Sequence, residues 1–168
     1  MERILLYILA GCIGIAVAPL KAESVIQFHA TSPYHNITVV DQNGYRILSF
    51  DGTSETRMSL TNQLQGHFEY TEYFHMPWLW NNQISNVLMI GLGGASVQRS
   101  FAHYYPQLRL ETVEIDPMVV QVAKEYFGFT ESPNQRVRTE DGRVYLRRSQ
   151  STYDVIIADA KFSDPFIR

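Results

Sequence analysis

The sequence predicts an α/β protein in which a small β-hairpin region precedes a doubly wound parallel sheet. Three observations carry this expectation. Val87-Leu88-Met89-Ile90 is a continuous apolar run that ends in Gly91-Leu92-Gly93-Gly94, as a strand buried on both faces and leading into a tight turn requires. Downstream, strand-like runs alternate with helix-like segments as far as Ala158, and this alternation implies parallel strands joined by right-handed crossovers. Upstream, Asn43-Gly44 separates two β-like runs. A two-residue turn of that composition accepts positive φ at both positions and specifies a hairpin.

Taken in order, the β-like segments begin at Val25-Ile26-Gln27-Phe28, continue through Ile37 to Val40, and then through Tyr45 to Phe50. Asp51-Gly52 supplies the next turn. From about Gln65 the rhythm changes: Phe68, Tyr73, Met76 and Trp80 follow a roughly helical spacing, which Asn81-Asn82 breaks. After the Val87–Ile90 strand, Ser96 is placed to cap a helix that carries Val97, Phe101 and Tyr104 on one side. Leu108 to Ile115 reads as the second strand. Pro117 opens the next helix, Met118 to Phe127, and Gly128 closes it. Arg136-Val137-Arg138, the helix Val144–Arg148 and the strand Val155–Ala158 complete the series. The expected division is residues 23–64 for the hairpin region and 65–168 for the parallel-sheet region.

Composition narrows the function classes. The 168 residues include 14 Lys+Arg and 17 Asp+Glu, a net charge of −3. No basic field exists for counterion release, so nucleic acid is not an expected partner. Aromatic residues make up 12% of the chain, a core-forming composition rather than a disordered one. The one cysteine, Cys12, has no internal disulfide partner. It lies in an uncharged apolar run from Ile4 to Leu20 behind Met1-Glu2-Arg3. Residues 1–22 therefore read as a signal peptide or membrane anchor. The implied location is exported, periplasmic or membrane-anchored, with membrane contact only through residues 4–20 if uncleaved. It is cytoplasmic if the segment is not a signal.

The candidate chemistry lies at the carboxyl ends of the parallel strands, where open α/β sheets hold their ligands. Gly91, Gly93 and Gly94 allow a tight turn and a close approach of a ligand to the backbone, although such turns also close many βα units without a ligand. Glu114 follows Gly94 by 20 positions at the end of the second strand. A carboxylate there can accept both hydroxyls of a ribose. Asp141, followed by Gly142, ends the third strand; it can accept from an adenine amine or simply cap the helix that follows. Asp159 ends the fourth. Carboxylates dominate this rim and the glycine loop has no lysine, which disfavours phosphate. No metal-ligand set is read from the sequence.

Met89-Ile90-Gly91-Leu92-Gly93-Gly94, Val113-Glu114-Ile115-Asp116-Pro117, Glu140-Asp141-Gly142 and Tyr153-Asp154-Val155-Ile156-Ile157-Ala158-Asp159 together resemble the polyamine aminopropyltransferase family, typified by spermidine synthase. Ser32-Pro33-Tyr34-His35-Asn36-Ile37, Phe50-Asp51-Gly52 and Phe68-Glu69-Tyr70-Thr71-Glu72 resemble its amino-terminal half. The resemblance implies a Rossmann-like, methyltransferase-type sheet that takes decarboxylated S-adenosylmethionine, or S-adenosylmethionine, as co-substrate. It also implies a small-molecule amine as acceptor, and it admits a homodimer. It places Glu114 on the ribose, Asp141 near the adenine and Asp159 beside the attacking amine. Tyr70 falls where the family has a tyrosine near that amine, although a core tyrosine fits equally well.

Four positions depart from the family pattern. Leu92 replaces a glycine, Gly94 stands where an aspartate is usual, Thr71 replaces a glutamine, and Lys161 follows the fourth strand. These departures are compatible with a divergent branch and leave methyl transfer as a rival activity. The chain stops nine residues after Asp159, whereas the family's sheet continues. A carboxy-terminal truncation, with a non-catalytic remnant as a further alternative, is the corresponding expectation.

Overall fold

The computed structural model describes residues 24–160. The expected leader at residues 1–22 and Lys161 lie outside the described residues. Two sheets are present. The first is antiparallel, in the order β1 (Ser24–Thr31), β2 (Asn36–Gln42), β3 (Tyr45–Phe50) and β4 (Thr53–Ser59). Both of its tight turns use positive φ at two successive residues: 53° and 79° at Asn43-Gly44, 52° and 82° at Asp51-Gly52. Two mirror-type turns match the right-handed twist of the strands that they join. The strand β4 was not read individually from the sequence.

The second sheet is parallel, with β5 (Asn86–Ile90), β6 (Arg109–Glu114), β7 (Gln135–Thr139) and β8 (Val155–Ala158) in the order β7-β6-β5-β8. Strand order reverses beside β5, so the carboxyl ends of β5 and β8 flank a topological switch point. The crossovers are α1 (Ser96–Tyr104), α2 (Pro117–Tyr126) and α3 (Gly142–Arg148). On one face Val87 and Met89 pack with Val97 and Phe101 of α1; on the other Leu88 and Ile90 pack with Tyr145 of α3. The α/β reading, with hairpins before a parallel sheet, therefore holds.

The hairpin sheet packs on the parallel half through α2. Ile37, Val39, Leu48 and Met58 from the hairpins form one cluster with Val119, Val122 and Phe127. Burying such apolar surface is the main source of cohesion between the sheets, at about 25 cal/mol per Å². Polar contacts fix the register. The Asp116 side chain is fully buried, accepts from the Met118 N–H at 2.9 Å as the cap of α2, and also accepts from the Ser32 hydroxyl. Arg99 is buried and donates to the carbonyls of Gly94, Phe127 and Gln63.

Two local expectations are corrected. Glu69–Leu79 is a run of 3-10 turns rather than an α-helix. With three residues per turn, side chains at i and i+3 eclipse. Tyr70, Tyr73, Met76 and Leu79 therefore form an exposed stripe, while Thr71 and Phe74 turn inward. Tyr73, Met76 and Trp80, which the 3.6-residue spacing grouped with Phe68, are all solvent-exposed. Pro77 cannot donate to a helical ladder, which is consistent with the tighter winding. At α1, the residue before the helix is Ala95, in the left-handed region at φ 58°, and no side chain caps it. Ser96 is already helical, and Tyr104 is exposed. Among the described residues no helix is long and apolar enough to cross a membrane.

Candidate functional site

The glycine loop and the end of β8 meet at the switch point. Gly91 has φ 102°, and a Cβ there would lie 2.1 Å from the Asp159 carbonyl oxygen. Only glycine allows the two backbones to come this close. The Asp159 N–H donates to the Ile90 carbonyl at 2.9 Å, which places the Asp159 side chain beside the loop. Gly142 is required for a related reason: its Cβ would meet Ile90 Cγ2 at 2.6 Å.

One cavity of about 220 Å³ runs along this edge. Gly91, Gly93, Glu114, Asp141, Gly142, Tyr70 and Asp159 all line it. Gly94 is buried behind the lining, where its N–H donates to Thr56 Oγ1 at 2.9 Å. The sequence therefore identified one end of the lining from the β5, β6 and β7 termini, and the other from Asp159 and Tyr70.

Glu114 is fixed before any ligand arrives. Its Oε2 accepts from the Leu92 N–H at 2.9 Å and its Oε1 from the Asp116 N–H at 3.0 Å. A carboxylate offers about four acceptor positions, so Glu114, which lines the cavity, can still accept from a ligand hydroxyl beside these backbone donors. Burial raises the Glu114 pKa above the ordinary range, and the backbone donors oppose that rise.

Asp141 is the cap of α3. It accepts from the N–H groups of Arg143 at 2.8 Å and Val144 at 3.4 Å, and from the Arg143 guanidinium at 2.7 Å. The Arg143 side-chain bond leads in holding its carboxyl down at about 2. Of the two readings open for Asp141, the structure shows the cap, and the residue also lines the cavity.

At the other end the Tyr70 hydroxyl donates to Asp159 Oδ2 at 3.4 Å. Tyr70 is 41% exposed, which removes the core reading. Burial, followed by the Asp159 and Glu55 charges, pushes the phenol up to about 12, so it is a donor rather than a base at neutral pH. The Asp159 carboxyl is raised by burial, lowered by the Tyr70 bond and raised again by Glu55.

Four further lining residues come from the hairpin sheet: His35, Phe50, Glu55 and Thr56. The His35 and Phe50 rings stack at 4.5 Å between centroids and 6° between planes. His35 and Phe50 lie in motifs that carry the family resemblance, but none of the four was read from the sequence as a site residue. For Glu55 and Thr56 the signal was the alternation in Thr53–Ser59, whose inward positions are Thr56 and Met58. Among the described residues no group of three or more His, Cys, Asp or Glu side chains is placed to hold a metal ion.

Residues 67–167 match the spermine/spermidine synthase domain family. The chain belongs to this family. As a spermine/spermidine synthase domain it is 37% identical over 147 residues to the polyamine aminopropyltransferase of Vibrio vulnificus (strain CMCP6), covering 82% of this chain and 49% of that relative. The chain thus spans about half the length of that protein. The domain superposes on a probable spermidine synthase from Corynebacterium glutamicum with a TM-score of 0.69 at 23% identity, over 79% of this chain and 51% of the other. That likeness establishes the fold. It also superposes on human methyltransferase-like protein 13 in complex with SAH, with a TM-score of 0.52 at 29% identity, over 59% and 50% of the two chains.

Proposed function

We propose that the chain is a spermidine-synthase-like transferase. It binds decarboxylated S-adenosylmethionine, or S-adenosylmethionine, along the sheet edge and directs an aminopropyl group to a polyamine amine. The observation that carries this reading is one continuous cavity lined both by a pre-oriented Glu114 and by the Tyr70–Asp159 pair. Glu114 accepts the ribose hydroxyls, Asp141 and Gly142 border the base, and the Gly91–Gly93 backbone lies against the sulfonium side.

In the transfer, the lone pair of a neutral amine attacks the carbon next to the sulfonium. The carbon–sulfur bond breaks, its electrons return to sulfur, and methylthioadenosine leaves. The new nitrogen is an ammonium, and its proton passes to Asp159. A carboxylate raised by burial is a better proton acceptor than an exposed one. Tyr70, neutral at working pH, orients that carboxylate through its hydroxyl.

The test is incubation with decarboxylated S-adenosylmethionine and putrescine, followed by mass spectrometry of the amine. The expected product carries an added aminopropyl group, and Asp159→Asn lowers its rate by about 10²-fold or more. A methylated product formed from S-adenosylmethionine would instead establish the methyltransferase reading, which Gly94 and the likeness to the SAH-bound structure favour.

A further inference from the structure

The end of the molecule opposite the cavity carries exposed apolar side chains beside cations. Parallel pairing sets Asn86, Arg109 and Gln135 together at the amino ends of their strands, away from Gly91, Glu114 and Asp159. Trp78 stacks on Tyr105, just past the end of α1, at 4.1 Å between centroids and 3° between planes. This stack holds the last turn of the 3-10 segment at the same end, where Leu79 is 77% and Trp80 75% exposed. The start of β1 also reaches it. Val25 stands opposite Asp41, and Asp41 opposite Arg46. The Arg46 guanidinium donates to the carbonyl of Tyr126, the last residue of α2, at 2.8 Å, and α2 returns the chain to the amino end of β7. Val25 is exposed and Ile26 is 66% exposed. Two adjacent pairs of large apolar side chains, both turned to solvent at one end, point to a contact there.

Charge divides along the same axis. The carboxyl ends of the strands carry Glu114, Glu140, Asp141 and Asp159. The amino ends, and the helix termini that return to them, carry Arg109, Lys124, Arg136 and Arg147, all exposed. Of the acids at that end, Asp154 accepts from the N–H groups of Ser85 and Asn86, Glu131 pairs with Lys124, and Glu125 accepts from the Gln121 amide. The apolar run Ile4–Leu20 joins the chain here. Only Lys21-Ala22-Glu23 separate it from Ser24, so Leu20 lies within about 14 Å of the start of β1 by any path.

We propose that this end rests on a bilayer containing anionic lipid, with Trp80, Leu79 and Ile26 in the interfacial layer, the arginines against headgroups and the cavity turned to water. The indole suits that layer because its ring is apolar and its N–H is polar. Arginines near an anionic surface are attracted to it. The apolar run supplies one membrane signal and this patch a second, the combination that gives stable attachment. Tethering by the run also makes docking of the patch an intramolecular step, so a small patch suffices.

Trp78 and Trp80 are the two tryptophans of the chain, so quenching of their emission by brominated lipid reads the contact. The full chain is reconstituted with vesicles of phosphatidylcholine and phosphatidylglycerol, the former brominated along its acyl chains, and recovered by flotation. The parent is expected to float and to be quenched. Trp80→Phe should float equally and lose most of the quenching, because Trp78 is held against Tyr105. An unchanged urea midpoint shows that this exposed substitution leaves the fold intact. Arg109→Gln combined with Arg147→Gln should lower the ratio of docked to undocked chain about fivefold per charge on these vesicles. On phosphatidylcholine alone the same pair should change nothing. Failure to float, or flotation without quenching, would overturn the proposal; the latter would mean that the run Ile4–Leu20 attaches the chain while this end stays in water. Quenching that survives Trp80→Phe would equally overturn it. So would blue-shifted Trp80 emission that brominated lipid does not touch, since that result places a second copy of the chain or another protein on the patch.

Discussion

Thr56 occupies the space that a side chain at position 94 would need. Its Oγ1 accepts from the Gly94 N–H at 2.9 Å, while its Cγ2 and Cβ lie 2.6 and 2.9 Å from the site of a Gly94 Cβ. The glycine at 94 and the threonine on β4 are therefore two halves of one packing solution. Together they join the hairpin sheet to the glycine loop.

This relationship makes a coupled pair of substitutions informative. Gly94→Asp alone forces a buried side chain into Thr56 and is expected to cost about 1–3 kcal/mol of stability. Adding Thr56→Gly removes both short contacts and should recover part of that cost. Urea unfolding of the four members of the cycle measures the coupling, and strictly additive effects would show that Thr56 does not exclude the side chain.

The Asp159 titration should respond in opposite directions to its two neighbours. Its carboxyl is raised by burial, lowered by the Tyr70 hydroxyl bond and raised by Glu55. Tyr70→Phe should move its pKa further up, and Glu55→Gln should move it down. The proton-accepting form is the carboxylate, which predominates above that pKa. The acid limb of any transfer activity should therefore shift to higher pH in the first variant and to lower pH in the second. NMR titration of the Asp159 carboxyl carbon reads these shifts even without turnover.

Arg99 provides a test of the cohesion between the two sheets. Burial brings its guanidinium down to about 10, so it remains a cation at neutral pH while donating to the carbonyls of Gly94, Phe127 and Gln63. Arg99→Met leaves those acceptors without their donor and should cost about 2–3 kcal/mol. Chemical denaturation measures it, and a change within about 0.5 kcal/mol would show that the carbonyls find other donors.

Much of this arrangement was legible in the sequence because β5 and β8 carry continuous apolar runs that lead directly into Gly91 and Asp159. The strands Tyr45–Phe50 and Val155–Ala158 match the reading residue for residue. Gly91, Glu114 and Asp159 were singled out because each stands at the carboxyl end of a parallel strand, a position that follows from local pattern. The Glu69–Leu79 segment was misread because a threefold stripe resembles a 3.6-fold one over so few residues. Strand β4 has a single large apolar residue, Met58, and therefore gave little signal. Glu55 and Thr56 reach the site only through packing of the hairpin sheet on α2, a long-range arrangement with no short-range signature. Ala95 shows a similar limit, since its left-handed backbone is imposed by the loop and not by its own propensity.

The sheet edge is expected to bind an adenine nucleoside through the pre-oriented Glu114 carboxylate. Calorimetric titration of methylthioadenosine into the parent chain and into Glu114→Gln tests it most directly. The expected result is saturable one-to-one binding by the parent and a loss of about tenfold or more in the variant, whose amide cannot replace all four acceptor positions of the carboxylate. Absence of binding by the parent, or equal affinity in both proteins, would contradict it.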